Sequence, residues 1–164
     1  MTLPADGADS SQYEKLKGNR IGSGQQRNVF EVIGHEDVVL KIQKDPNVSV
    51  NKAEYKIYHK VNENHPVAIN TIAKIYGISD DGMYLLMEKL DTGNISDGST
   101  FKIMKEVSDR KKENFGKDTQ GVIKCLDYNS LKFTSDGKVT MIADITGEVE
   151  EWGFTSDYNE TWSL

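Results

Sequence analysis

The stretch Ile21-Gly22-Ser23-Gly24-Gln25-Gln26-Arg27-Asn28-Val29, followed by Val38-Val39-Leu40-Lys41-Ile42, decides the fold. Glycines at two alternate positions of a strand–turn–strand lack the Cβ that would hold backbone amides away from a phosphate. Gly22, Ser23, Gly24 and Gln25 are therefore candidates for covering phosphates, with Val29 beside them. A plain hairpin turn has the same appearance. Lys41 shifts the balance: among β-branched neighbours it can face solvent by alternation, but from the strand after a glycine hairpin it reaches the phosphates of a nucleotide lying under the turn.

Working outward, residues 28–33 and 38–42 read as strands around the turn Gly34-His35-Glu36-Asp37, giving with residues 20–22 a three-stranded antiparallel meander. Asp45-Pro46-Asn47 breaks the sheet. Residues 51–62 follow helical spacing, with Ala53, Ile57 and Val61 on one stripe, and end at His65-Pro66. Two more strands, 72–78 and 83–90, flank the hairpin signal Asp80-Asp81-Gly82. After a linker at 91–94, Phe101, Ile103, Met104 and Val107 lie at near-helical spacing within 99–114. A helix extends or restarts over 120–126, and a second hairpin is expected over 131–143. The expectation is an α+β chain in three parts. Residues 1–12 form a disordered start, 13–92 a lobe of five antiparallel strands with one helix, and 93–164 a small helical lobe with a hairpin and an acidic tail.

The chain has 164 residues and a net charge of −6, which argues against a nucleic-acid partner. Its one basic run, Asp109-Arg110-Lys111-Lys112-Glu113, is diluted by acids and reads as a solvated helix face. No apolar run is long enough for a membrane span. The single Cys125 lies in an apolar run and reads as a buried thiol in a reducing compartment. The polar N-terminus lacks a secretory signal pattern, which suits the cytoplasm or signal-independent injection into a host cell.

Further acids complete a candidate site. Glu54, on the expected helix, can ion-pair with Lys41; Glu63, at its end, is the second candidate. Asp144 closes an apolar strand and is placed to hold a metal ion on phosphate oxygens. Asp127 and Asn129 precede the expected second hairpin and can orient a hydroxyl and take a second metal contact. Trp152, Phe154, Tyr158 and Trp162 in the tail either pack on the body or form a docking segment.

This order resembles the protein-kinase superfamily over residues 18–146. Gly22 to Val29 is similar to G-x-G-x-x-G-x-V, with Arg27 in the third glycine's place, and Val38-Val39-Leu40-Lys41 is similar to V-A-I-K. Leu85-Leu86-Met87-Glu88-Lys89-Leu90 resembles the strand entering the interlobe hinge, and Met141-Ile142-Ala143-Asp144 the approach to D-F-G. The resemblance implies ATP and Mg2+ as cofactors, with Met87 as gatekeeper and the backbone of Glu88 to Leu90 bonding adenine. It further implies Lys41 and Glu54 as the phosphate-holding pair, Asp127 as base and Asp144 with Asn129 on magnesium, Asn129 supplying the amide where strict alignment puts Ser130 in the place of the metal-binding asparagine. The catalytic loop at 124–130 departs from H-R-D-x-x-x-x-N, and only twenty residues follow Asp144. Such trimming is similar to the minimal kinases of bacterial type III effectors and of some phages. The expectation is thus a monomeric serine/threonine kinase acting on a protein, such as a host protein. The alternatives are a pseudokinase serving as a nucleotide-binding interaction module, or a small α+β domain whose glycine hairpin is accidental.

Overall fold

The computed structural model describes residues 2–129 and 142–155. Five strands form an antiparallel sheet: β1 (Lys17–Ser23), β2 (Arg27–Val32), β3 (His35–Gln43), β4 (Ile75–Ile78) and β5 (Tyr84–Glu88), in the order β1-β2-β3-β5-β4. Sequence periodicity anticipates this sheet closely. In β3, Val38, Val39, Leu40 and Lys41 are all buried because both faces of the strand are covered. Alternation divides them. Val39 joins Leu85 and Met87 in the larger core, while Val38 and Leu40 join Leu86 in a smaller one on the other face. Lys41, two residues from Val39, falls on the larger-core side.

Residues 1–12, expected to be disordered, follow a defined path from residue 2 onward. Helix α1 (Ser10–Glu14) begins at Asp9, whose carboxylate accepts from the Ser11 amide at 2.8 Å. Tyr13, fully buried, donates to the Ile78 carbonyl at 2.9 Å. The physical reason is the smaller core: without Tyr13 and Leu16, the apolar face carrying Val38, Leu40 and Leu86 would meet water.

Helix α2 (Val50–Asn64) packs its stripe of Ile57, Tyr58 and Val61 on the larger core. Asn51 and Glu54 share that buried stripe one turn earlier, so the apolar face of the helix begins with two polar side chains.

The rest of the described chain differs from the expected helical lobe. No α-helix follows α2 among the described residues, only short 3-10 turns at Ala68–Thr71, Lys112–Asn114 and Ile142–Asp144. Residues 100–104 form β6 (Thr100–Met104), paired with β9 (Val149–Gly153); Phe101 and Ile103 point inward with period two. Residues 115–125 form a hairpin of β7 (Phe115–Lys117) and β8 (Ile123–Cys125), where a helix over 120–126 was expected. Gly121, at φ +83°, and Asp118, which accepts from the Gln120 and Val122 amides, close its turn. The hairpin expected over 131–143 lies outside the described residues except for its end, which is the 3-10 turn at Ile142–Asp144.

Asp91 exchanges two backbone hydrogen bonds with Lys117, at 2.8 and 2.9 Å, fastening the segment after β5 to β7. Phe101, Phe115 and Phe154 stack with centroids 5.4–5.8 Å apart and extend the larger core into this half. Among the described residues no helix is long and apolar enough to cross a membrane.

Candidate functional site

A cavity of about 730 Å³ lies under the turn between β1 and β2. One wall is Ile21 to Gln26, with Arg27, Val29 and Lys41 beside it. Its other wall is Asp109, Lys111, Glu113 and Asn114, then Leu126, Asp127 and Asn129. The turn is held by the Gly24 amide donating to the Arg27 carbonyl at 2.8 Å and by Lys44 donating to the Gly24 carbonyl. The fold itself does not require glycine at the tip. Neither Gly22 nor Gly24 has positive φ, and an added Cβ would meet its nearest neighbour only at 3.6 and 3.7 Å respectively.

Behind the first wall lies a buried charge cluster. Lys41 Nζ donates to Glu54 Oε1 at 2.8 Å and to the Leu126 carbonyl at 2.6 Å. Arg27 forks onto the same carboxylate, Nη1 to Oε1 at 3.0 Å and Nη2 to Oε2 at 3.3 Å. Its Nη1 also reaches Asn51 Oδ1 at 3.1 Å, and its Nη2 reaches Asp127 Oδ1 at 3.1 Å. The Tyr128 amide donates to Glu54 Oε2 at 3.0 Å. Glu54 is 0 % exposed, Lys41 4 % and Arg27 8 %.

A carboxyl buried this deeply would ordinarily be pushed up, but the charges of Arg27 and Lys41 outweigh burial and hold Glu54 at about 2. Burial drives Lys41 below its ordinary value, with Glu54 opposing. Two cations and two carboxylates balance here, counting Asp127, and the planar guanidinium supplies the forked geometry that a lysine cannot.

Of the residues singled out from the sequence, Gly22 to Gln25, Val29, Lys41, Asp127 and Asn129 all line the cavity, and Glu54 stands directly behind Lys41. Glu63, the rival partner, lies exposed near the end of α2. Met87, Glu88 and Leu90 do not line it. Met87 is fully buried in the core, Glu88 pairs with Lys124 at 2.9 Å, and Leu90 is packed against Gly116 of β7. The Glu88 amide is taken by the Lys74 carbonyl at 2.8 Å. Asp144, expected at a strand end, instead sits exposed on a 3-10 turn and is not part of the cavity wall.

Residues 109–113 are exposed, as their charge pattern suggests, apart from half-buried Arg110, but they form a loop entering a 3-10 turn rather than a helix face. Asp109 and Lys111 line the cavity, while Arg110 turns aside to stack over Trp152 at 4.7 Å and pair with Glu150 at 2.6 Å. Asn114 is buried, and its Nδ2 donates to the Asp109 carbonyl at 3.0 Å, leaving Oδ1 to accept. The Leu126 amide donates to the Asn114 carbonyl at 2.8 Å, so the loop and the Asp127 segment run side by side. Sequence reading missed Asp109, Lys111, Asn114 and Arg27. A signal for the first three was present: an aspartate and an asparagine spaced D-x-x-x-x-N, then a hairpin, then Asp127-Tyr128-Asn129.

Cys125 is fully buried, and burial pushes its thiol up to about 12, so it packs rather than reacts. No group of three or more His, Cys, Asp or Glu able to hold a metal ion occurs among the described residues. A magnesium ion carried by phosphates needs only one or two protein ligands, and the Asp127 carboxylate with the Asn114 amide oxygen fits that donor set.

Searches against protein-family models and against curated proteins match nothing to this sequence.

Proposed function

We propose that this cavity binds ATP with magnesium and transfers the γ-phosphate to a protein hydroxyl, as a trimmed domain of the protein-kinase kind. One observation carries the reading. A glycine hairpin, a buried lysine–glutamate pair, a D-x-x-x-x-N loop and an aspartate just past a hairpin strand all meet at one cavity. Val107-Ser108-Asp109 through Asn114 is similar to H-R-D-x-x-x-x-N, and Asp127-Tyr128-Asn129 stands where D-F-G stands after the hairpin. Glycines that the fold does not itself demand favour a ligand that approaches the backbone closely.

The roles divide accordingly. Backbone amides from Gly22 to Gln25 cover the phosphates, and Lys41, held by Glu54, neutralises them. Asp109 replaces Asp127 as the group that orients the substrate hydroxyl and takes its proton. Asp127 and Asn114, rather than Asp144 and Asn129, hold magnesium, which supplies charge neutralisation on the phosphates. Lys111, whose Nζ lies 3.6 Å from Asp109 Oδ2, adds a cation beside that carboxylate. Met87, Glu88 and Leu90 have no part in this reading. The pseudokinase alternative drew on an imperfect loop at 124–130 and on the missing helical subdomain; reading the loop at 109–114 answers the first ground and leaves the second, since no α-helix follows α2 among the described residues. Serine/threonine preference, and a host protein as the target, rest on the resemblance alone.

The test is label transfer from γ-labelled ATP with magnesium into proteins of a cell lysate, for the native chain and Asp109→Asn. The native chain is expected to transfer label. Asp109→Asn is expected to lose roughly 10²–10⁴-fold in rate while keeping its thermal stabilisation by ATP and magnesium. Stabilisation without transfer in the native chain would make it a pseudokinase; neither stabilisation nor transfer would end the reading.

A further inference from the structure

Arg27 occupies the place where the glycine-loop pattern has its third glycine, and its side chain does something glycine cannot. It starts from β2, where its backbone pairs with Gln43 of β3, so it is fixed to the sheet. Its guanidinium is then held from two sides independently of the cavity wall, by both oxygens of Glu54 and by Asn51 Oδ1. All three residues are buried. The remaining contact, Nη2 to Asp127 Oδ1 at 3.1 Å, joins this anchored fork to a carboxylate whose side chain is 44 % exposed.

Two opposite consequences are conceivable: the guanidinium competes with a cation for Asp127, or it orients Asp127 to receive one. The hydrogen bonds decide between them. Asn129 Nδ2 also donates to Asp127 Oδ1, at 2.9 Å, so both side-chain donors that reach this carboxylate among the described residues end on the same oxygen. Among the described residues no side-chain donor reaches Oδ2, the oxygen that would take a cation. The fork would have to abandon nothing when that cation arrives, because Glu54 and Asn51 hold it in place regardless.

We infer that Arg27 is a positioning residue for magnesium: it carries Asp127 on a rigid, buried scaffold and links it directly to the Lys41–Glu54 pair. The inference rests on the nucleotide-site reading above and deepens it. A side chain from the glycine hairpin itself thus couples the phosphate-covering turn to the cation-holding wall.

The experiment is a magnesium titration of ATP-dependent thermal stabilisation, using the full chain as native, Arg27→Lys and Arg27→Met. Lysine keeps the charge beside Glu54 but cannot fork onto two carboxylates. Both variants are expected to need roughly ten- to a hundredfold more magnesium for half-saturation, the range for lost outer-shell partners of a metal ligand, with full stabilisation regained at high magnesium. Asn129→Ala, which removes the weaker exposed donor, is expected to shift the midpoint in the same direction by less. An unchanged midpoint in Arg27→Lys overturns the inference while leaving the nucleotide site standing. A lowered midpoint overturns it in favour of competition. An Arg27→Lys chain that no longer folds overturns it too, since Arg27 would then serve stability. A native chain with no magnesium-dependent stabilisation removes the site reading and this inference with it.

Discussion

Replacing Glu54 with glutamine tests the buried cluster most directly, because the side chain keeps its shape and loses only its charge. In the fold this carboxyl is held at about 2 against its ordinary 4.5 by Arg27 and Lys41. A carboxylate whose affinity for protons is depressed by that much stabilises the folded state by about 3 kcal/mol at neutral pH. A second route gives the same scale. Removing one partner of a buried ion pair typically costs about 3–5 kcal/mol, because the remaining charge is left uncompensated, and here two cations, Arg27 and Lys41, would be left facing an amide. For a chain of this length, about 3 kcal/mol lowers the melting temperature by roughly 6–12 °C.

The pH dependence fixes the sign. Glu54 has a depressed folded value, so its contribution is complete above 4.5 and is lost as pH falls toward 2. The stability gap between native and Glu54→Gln chains, read from urea midpoints, is therefore expected to be full at pH 7 and reduced to roughly half by pH 3. At alkaline pH the variant recovers in part. Lys41 already lies below its ordinary value through burial, and losing Glu54 lets it shed its proton more readily, so stability rises with pH. A Glu54→Gln chain melting within 2 °C of native (roughly half a kcal/mol), or a gap of the same size at pH 7 and pH 3, would refute the reasoning.

Two glycine substitutions separate ligand from fold. Gly24→Ala meets nothing closer than 3.7 Å, so its urea midpoint is expected to stay within about 0.5 kcal/mol of native, while stabilisation by ATP and magnesium falls; stabilisation equal to native would remove the phosphate role of the hairpin backbone. Gly116→Ala would place a Cβ 2.6 Å from Leu90 Cβ and 3.0 Å from the Asp91 carbonyl oxygen. It is expected to cost roughly 1–3 kcal/mol by overpacking, visible as a lower urea midpoint with or without nucleotide.

Some of this was legible in the sequence because the signals are local. The apolar run at 38–42 and the stripe through Ile57 and Val61 depend on neighbours a few positions away, and the order of the elements they mark set Lys41 opposite Glu54. Phe101, Ile103, Met104 and Val107 fit both helical and strand spacing; what selects the strand is β9, which lies more than forty residues on and gives no local sign. At 109–114 the exposed charges were legible because acids flank the bases, but not the loop that sets Asp109 and Lys111 along the cavity and turns Arg110 to Trp152. Arg27 was the hardest to read. A cation beside a glycine turn ordinarily faces water, and this one is buried by partners 27 and 100 residues away.

Stability alone does not account for that cluster. Exchanging a buried ionic network for well-packed apolar side chains of similar size is often neutral or favourable, so four polar groups on the inner face of a small domain call for another reason. Arg27, Lys41, Asn51 and Glu54 come from β2, β3 and α2, and their outward bonds run to Leu126, Asp127 and Tyr128, the segment that forms the far wall of the cavity. An apolar core could join the same elements, but it would not hold Asp127 by one oxygen, as Arg27 does at Oδ1. The formal charges among Arg27, Lys41, Glu54 and Asp127 cancel, so the cluster is balanced within the chain itself. The cluster costs stability relative to an apolar core and ties Asp127 to a buried scaffold, which is the trade expected of the cation site proposed above.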